Sequence, residues 1–118
     1  MKARRRARPQ TPKWRNPIDD PATFERIDKL LGALSHDPIR FGHYELTAPQ
    51  EERDLICLYA AKGRPADARS GVRHVVACML SLSWQYPEDY GPTAPPGVRR
   101  RNELRFLLGG APPEARTE

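Results

Sequence analysis

The first sixteen residues carry the side chains with the clearest chemical meaning in this sequence. This stretch holds seven lysines and arginines and no acidic residue. Its cationic and aromatic members are Lys2, Arg4, Arg5, Arg6, Arg8, Lys13, Trp14 and Arg15. Cations on an extended arm attract the phosphates of a nucleic acid and release its counterions, and an indole ring can stack on an exposed base. The pattern therefore predicts an arm that binds DNA or RNA without choosing a sequence, because phosphate contacts carry no base information.

A second group of cations lies near the C-terminus, at the beginning of the last predicted helix. The group comprises Arg99, Arg100, Arg101 and Arg105. Cations in the first turn of a helix oppose its dipole and gain nothing locally, so a binding partner would explain them. We expect this group to assist the arm. The alternative partner for both groups is an acidic protein surface, and the chain would then be an adaptor or a small inhibitor such as phages and plasmids encode.

Aromatic residues near the proline-rich stretch 87–96 are candidates for contact with a protein partner. Tryptophan and tyrosine are common anchors of protein interfaces, and Trp84, Tyr86 and Tyr90 would together form an exposed patch, with Trp84 and Tyr90 as the expected contacts. The alternative is structural: Trp84 and Tyr86 cover the end of the hydrophobic core, and Tyr90 anchors the proline-rich loop.

A helix-turn-helix is a further alternative for DNA binding. Two predicted helices flank a turn at Gly63, and Arg64, Arg69 and Arg73 would lie at the beginning of the helix that reads DNA. The strongest face of that helix is apolar, however, and the preceding helix begins with acidic residues that would lie near the DNA backbone. A plain helical hairpin accounts for the same pattern.

Metal binding and catalysis have little support in the sequence. The residues from which a zinc site could be assembled are His36, His43, Cys57, His74 and Cys78. They lack the paired Cys-x-x-Cys or His-x-x-x-His elements of such sites. The sequence also contains no nucleophile elbow and no glycine-rich phosphate loop. We therefore expect no metal, no cofactor and no enzymatic activity.

Helical periodicity and capping signals predict the elements that carry these residues. The longest apolar run, residues 71–86, predicts a central helix with a broad apolar face. The pair Asp20-Pro21 predicts the start of a first helix, and Pro38 its end. Thr47 and Gln50 have the spacing of a capping box for another helix, which Gly63 is placed to end.

Two stretches have weaker patterns. Residues 39–46 alternate briefly around Gly42, which indicates a connector rather than a helix. Its expected core contacts are Ile39, Phe41, Tyr44 and Leu46. The last helix is predicted over residues 98–108, and the apolar side chains expected to face inward are Leu104, Leu107 and Leu108.

The predicted fold class is all-α, a small bundle of about four helices with a proline-rich loop. A chain of 118 residues is long enough for one domain without metals or disulfides. We expect a disordered basic arm over residues 1–17, a single helical domain over 18–110 and a flexible tail over 111–118. Residues 17–98 hold eight basic and twelve acidic groups, a net charge of −4, so the total of +5 comes from the two ends.

The cysteines and the N-terminal sequence predict the cellular location of the protein. Both cysteines lie in apolar helical patterns, and no apolar segment follows the basic start, so we expect a reducing, cytoplasmic setting. The longest apolar run is too short and too polar on one face to span a membrane, so we expect no membrane partner. The sequence as a whole predicts a small non-catalytic protein associated with nucleic acid or a nucleoprotein assembly.

Overall fold

A computed structural model describes residues 15–62 and 68–108, and the side chains of residues 15–62 and 71–108. A short 3-10 helix, Pro17–Asp19, precedes six α-helices. In chain order these are α1 (Pro21–Ser35), α2 (Pro38–Thr47), α3 (Gln50–Ala61), α4 (Ala68–Gln85), α5 (Pro87–Tyr90) and α6 (Pro96–Leu107). The described ranges contain no strand, which confirms the all-α fold. The predicted flexible arm and tail lie largely outside these ranges.

The hydrophobic core lies between α1, α3 and α4. Its fully or almost fully buried members are Ile18, Ile27, Leu31, Leu34, Leu55, Ile56, Tyr59, Ala77 and Leu80. Helix α4 contacts α1, α2, α3 and α5, so the prediction of a central helix is confirmed. None of the helices in the described part of the chain is long and apolar enough to cross a bilayer.

An aspartate followed by a proline begins both α1 and α2. The Asp20 carboxylate accepts a hydrogen bond from the Thr23 amide at 3.0 Å, and Pro21 occupies the first helical position. Asp37 accepts from the Arg40 amide at 3.1 Å, and Pro38 again comes first. Proline suits this position because its missing N–H would have no partner within the helix. The predicted start and end of α1 are therefore confirmed.

Residues 39–46 form a helix, so the prediction of a connector was wrong. Helix α2 turns Phe41 and Tyr44 towards the core, where both are partly buried. The other two expected core contacts point outward, because Ile39 is 85% exposed and Leu46 is 63% exposed. A helical turn spaces residues differently from the alternation on which the expectation rested.

The predicted capping box of α3 is also wrong. The Thr47 hydroxyl donates to the His43 carbonyl oxygen at 2.9 Å, within α2, instead of accepting from α3. Pro49 is the N-cap of α3, with no side-chain hydrogen bond. The acidic first turn, Glu51 and Glu52, is as expected and opposes the helix dipole favourably.

The proline-rich stretch contains the single-turn helix α5 and a tight turn. Tyr90 is buried and closes this end of the bundle. A Cβ added at Gly91 would lie 2.7 Å from the carbonyl oxygen of Pro87, so this close approach of the backbone requires glycine. Helix α6 follows and packs chiefly against α5.

Helix α6 docks through polar residues. The Asn102 side chain is buried and donates to the Asp89 carbonyl oxygen at 3.0 Å. Arg99 on the same side bonds Glu45 of α2. The three leucines that we expected to face inward point to solvent, so that prediction was wrong. Leu104 is 51% exposed, Leu107 52% and Leu108 87%.

Candidate nucleic-acid interface

The N-terminal arm joins the bundle at a fixed point. Lys2, Arg4, Arg5, Arg6, Arg8, Lys13 and Trp14 lie outside the described residues, and Arg15, the first described residue, is exposed. The side chain of Asn16 accepts a hydrogen bond from the Ile18 amide at 3.0 Å, and Ile18 is buried in the core. The arm is therefore attached to the bundle at the beginning of α1.

Five of the ten lysines and arginines whose side chains are described between residues 17 and 108 are paired with acids of the bundle. Lys29 pairs with Glu25 at 3.7 Å within α1. The other pairs join different elements: Arg26 with Glu52 at 3.8 Å, Lys62 with Asp19 at 3.0 Å, Arg73 with Asp28, and Arg99 with Glu45 at 3.1 Å. The cations without an ion pair among the described residues are Arg40, Arg53, Arg100, Arg101 and Arg105.

Arg99 belongs to this internal set and not to an exposed patch. Its Nη2 donates to both carboxylate oxygens of Glu45, at 3.2 and 3.1 Å, and its Nε donates to Glu103 at 2.9 Å. Glu45 is only 4% exposed. Burial works against the Arg99 charge, but the hydrogen bond to Glu103 and the charge of Glu45 together raise the pKa of Arg99. Arg99 of the predicted second basic group is thus held by acids of the bundle, and its binding to nucleic acid stays a prediction.

The other three arginines of this group, Arg100, Arg101 and Arg105, are exposed on α6. None of them forms an ion pair with an acid of residues 15–62 or 71–108. They share the solvent side of α6 with the three exposed leucines. We call these six residues the outer face of α6: Arg100, Arg101, Leu104, Arg105, Leu107 and Leu108. Their binding to nucleic acid stays a prediction.

The two aromatic candidates have structural roles. The Trp84 Nε1 donates to the Glu45 carbonyl oxygen at 2.9 Å, and the Arg53 guanidinium lies 5.1 Å from the centre of the indole ring. The ring is partly buried against the core, which agrees with the alternative that Trp84 covers the end of the core. Tyr90 is buried, at 3% exposure, as the structural alternative predicts. Protein binding through Trp84 and Tyr90 stays a prediction.

The helix-turn-helix alternative conflicts with the position of Arg73. Its guanidinium bonds Asp28 of α1, whose other oxygen accepts a hydrogen bond from the Tyr59 hydroxyl at 2.6 Å. An arginine held between α1 and α4 is not placed to read a base. Arg64 and the side chain of Arg69 lie outside the described residues.

The histidines and cysteines do not gather into one cluster. The His74 ring nitrogen Nε2 lies 3.5 Å from Cys78 Sγ, whereas Cys57 Sγ accepts from the Ser81 hydroxyl at 3.3 Å. Burial raises the pKa of the Cys78 thiol. Among the described residues, no three side chains of the metal-ligating types lie close enough together to hold an ion.

The residues that sequence reasoning missed are those that attach α6 to the bundle, Asn102 of α6 and Glu45 of α2. Their bonds join positions 54 and 13 residues apart in the chain, so no local pattern indicates them.

Comparison with protein-family models, with curated proteins and with solved structures finds no match for this chain.

Proposed function

We propose that this protein is a non-catalytic protein that binds nucleic acid, alone or within a nucleoprotein assembly, through its arginine-rich arm. One observation carries the proposal: the unneutralised positive charge is concentrated in the arm. Residues 1–16 hold seven cations and no acid. Residues 17–98, by contrast, hold more acids than bases, and several of their described cations are held in ion pairs such as Lys62 with Asp19 and Arg73 with Asp28.

The same charge distribution sets the orientation of binding. Residues 17–98 have a net charge of −4, so phosphates are attracted to the arm and repelled by most of the bundle. The bundle then carries the arm and keeps its own surface off the polymer. Arg100, Arg101 and Arg105 are candidates for additional phosphate contacts, and the experiment below measures their share.

The number of cations predicts the salt dependence. If all seven cations of the arm contact phosphates, the logarithm of the binding constant should fall against the logarithm of salt concentration with a slope of about −6 for duplex DNA and about −5 for a single strand. Between 50 and 200 mM salt, a slope of about −6 corresponds to a loss of several-thousandfold in affinity. Trp14 adds stacking only where bases are exposed, so it should favour single strands.

The test measures binding of the full chain to dye-labelled duplex DNA, single-stranded DNA and RNA by anisotropy, at several salt concentrations. In the main variant, glutamine replaces the seven lysines and arginines of the arm at unchanged length. We expect this variant to lose the binding and the steep salt slope. Trp14→Ala should weaken binding to single strands and leave duplex binding unchanged.

A variant with Arg100, Arg101 and Arg105 replaced by glutamine is the control for loss of positive charge outside the arm. Its salt slope should change by less than that of the arm variant. The proposal fails if the native chain does not bind nucleic acid at 50 mM salt, or if the arm variant binds equally well. Equal or tighter binding of the native arm to poly-L-glutamate would identify an acidic protein surface as the partner instead.

A further inference from the structure

The outer face of α6 has a composition that the fold does not need. A surface helix usually turns its apolar residues to the core and its charges to solvent. The leucines at the end of α6 do the reverse, because Leu104 and Leu107 in the helix and Leu108 at its C-cap are all more than half exposed. Its inner side is held instead by Asn102, which bonds the Asp89 carbonyl oxygen, and by Arg99.

The spacing of the outer face places apolar and cationic side chains together. With about 3.6 residues per turn, positions three and four apart are neighbours on a helix surface. Leu104, Leu107 and Leu108 therefore form one apolar cluster. Arg100 and Arg101 lie one turn before Leu104, and Arg105 lies three residues before Leu108. Leu104 and Leu108 thus each have an arginine as a neighbour, and Leu107 adjoins Leu104.

Acidic side chains are missing from this face. Glu103, the one acid of α6, is turned to the inner side, where it accepts a hydrogen bond from Arg99 at 2.9 Å. The three arginines of the outer face have no ion pair within the described residues. The surface therefore offers an apolar cluster flanked by positive charge, and it is complementary to an apolar segment flanked by negative charge.

This composition favours a protein over a nucleic acid as the occupant. Phosphates would pair with the arginines, but leucine has no aromatic ring on which a base could stack. Amphipathic protein segments place apolar anchors in such clusters and carry charges at the edge, where they set orientation and partner choice. A partner with leucine or similar side chains and flanking carboxylates uses all six residues.

We propose that the outer face of α6 docks an acidic amphipathic segment of a partner protein. Apolar side chains of that segment cover Leu104, Leu107 and Leu108, and its carboxylates pair with Arg100, Arg101 and Arg105. This goes beyond binding of nucleic acid by the arm and does not depend on it, since the two surfaces are separate parts of the chain. A protein with both surfaces would connect a polymer to a protein.

The probe is a synthetic 16-residue peptide with leucines on one helical face and glutamates elsewhere. One control peptide has the same composition with the leucines scattered around the helix, and another has lysine in place of glutamate. Binding to the full chain is measured by anisotropy of the labelled peptide. We expect the native chain to bind the first peptide at least tenfold more tightly than either control.

Two variants of α6 test the two halves of the surface. In one variant, glutamine replaces Leu104, Leu107 and Leu108. In the other, glutamine replaces Arg100, Arg101 and Arg105. Each should weaken peptide binding at least tenfold. All six positions are exposed, and circular dichroism verifies that the helices are intact. The variant with a neutralised arm should bind the peptide as the native chain does, which separates this proposal from nucleic-acid binding.

Equal binding of the patterned and scattered peptides would overturn the proposal, as would no binding of the patterned peptide. It is also overturned if the leucine variant binds like the native chain. A loss of nucleic-acid affinity in the arginine variant, with peptide binding unchanged, would assign the surface to the polymer. Self-association of the native chain that disappears in the leucine variant would assign it to a second copy.

Discussion

Replacing Arg99 by methionine tests how α6 is held to the bundle. The change keeps most of the aliphatic length and removes the charge and the hydrogen-bond donors. It leaves the Glu45 carboxylate, 3% exposed, without the arginine that donates to both of its oxygens. Breaking a fully buried ion pair in this way costs about 3–5 kcal/mol of unfolding free energy. The Arg99 side chain is 24% exposed, so water offsets part of the loss, and we expect about 2–3 kcal/mol.

Two further variants test whether the loss of stability comes from the ion pair between Arg99 and Glu45. Arg100→Met removes the same side chain from the next residue of α6, where it is exposed and has no ion pair with a described acid, and should change stability by about 0.5 kcal/mol at most. The double variant Glu45→Met with Arg99→Met should be more stable than Arg99→Met alone, because an apolar pair leaves no buried charge without a partner. A gain in stability from a second substitution is difficult to explain by packing alone.

The assay is urea unfolding followed by circular dichroism, with thermal melting as a second measurement. For a domain of this size, about 2–3 kcal/mol corresponds to a fall in Tm on the order of 10–20 °C. Equal stabilities of the Arg99→Met and Arg100→Met variants would refute the argument that Arg99 holds α6. A double variant as unstable as the sum of both single changes would show that the two side chains act independently.

Three other measurements test the core and its titrating groups. Leu31→Ala, at a fully buried position, should cost about 2–5 kcal/mol in urea unfolding, whereas Leu104→Ala on the outer face should cost far less; similar losses would contradict the assigned core. Burial and then the hydrogen bond to Glu52 raise the pKa of Tyr44 well above its usual value, so ionisation of the unfolded chain should lower stability as pH rises above about 10. Tyr44→Phe should reduce this alkaline loss, and an unchanged loss would refute the assignment. Because burial raises the pKa of Cys78, its alkylation at neutral pH, followed by mass spectrometry, should be slower in the folded protein than in urea, and equal rates would count against the buried thiol.

Local signals in the sequence identify much of the fold. Asp20-Pro21 correctly predicts the start of α1. Asp37-Pro38 has the same form and the same geometry, with the carboxylate bonded to the amide of the third helical residue, so this pair both ends α1 and begins α2. Gly42 and the short alternation around it favour a connector over residues 39–46 and obscure α2. The two Asp-Pro pairs together indicate both helices.

The periodicity of apolar residues does not predict which side of α6 faces the bundle. An apolar pattern predicts the inner side of a helix only when the helix is held by apolar contacts. Helix α6 is held through Asn102 and Arg99, whose partners belong to α5 and α2. The partners become apparent only when the chain is folded, and so does the outward position of the leucines. The outer face of α6 is therefore apparent only in the folded structure, whereas the basic arm is evident from the charges of the sequence alone.

The surroundings of Trp84 have a practical consequence. The chain has two tryptophans, Trp14 in the arm and Trp84 where α2, α3 and α4 meet. A Trp14→Phe protein would emit from one indole, whose N–H is bonded to the backbone of α2 and whose ring lies beside the guanidinium of Arg53 in α3. Detachment of α2 would bring water to that indole and shift its emission to longer wavelength. In the converse Trp84→Phe protein, the only indole is Trp14 of the arm. Tryptophan fluorescence of the first variant therefore reports on folding, and that of the second reports on binding by the arm.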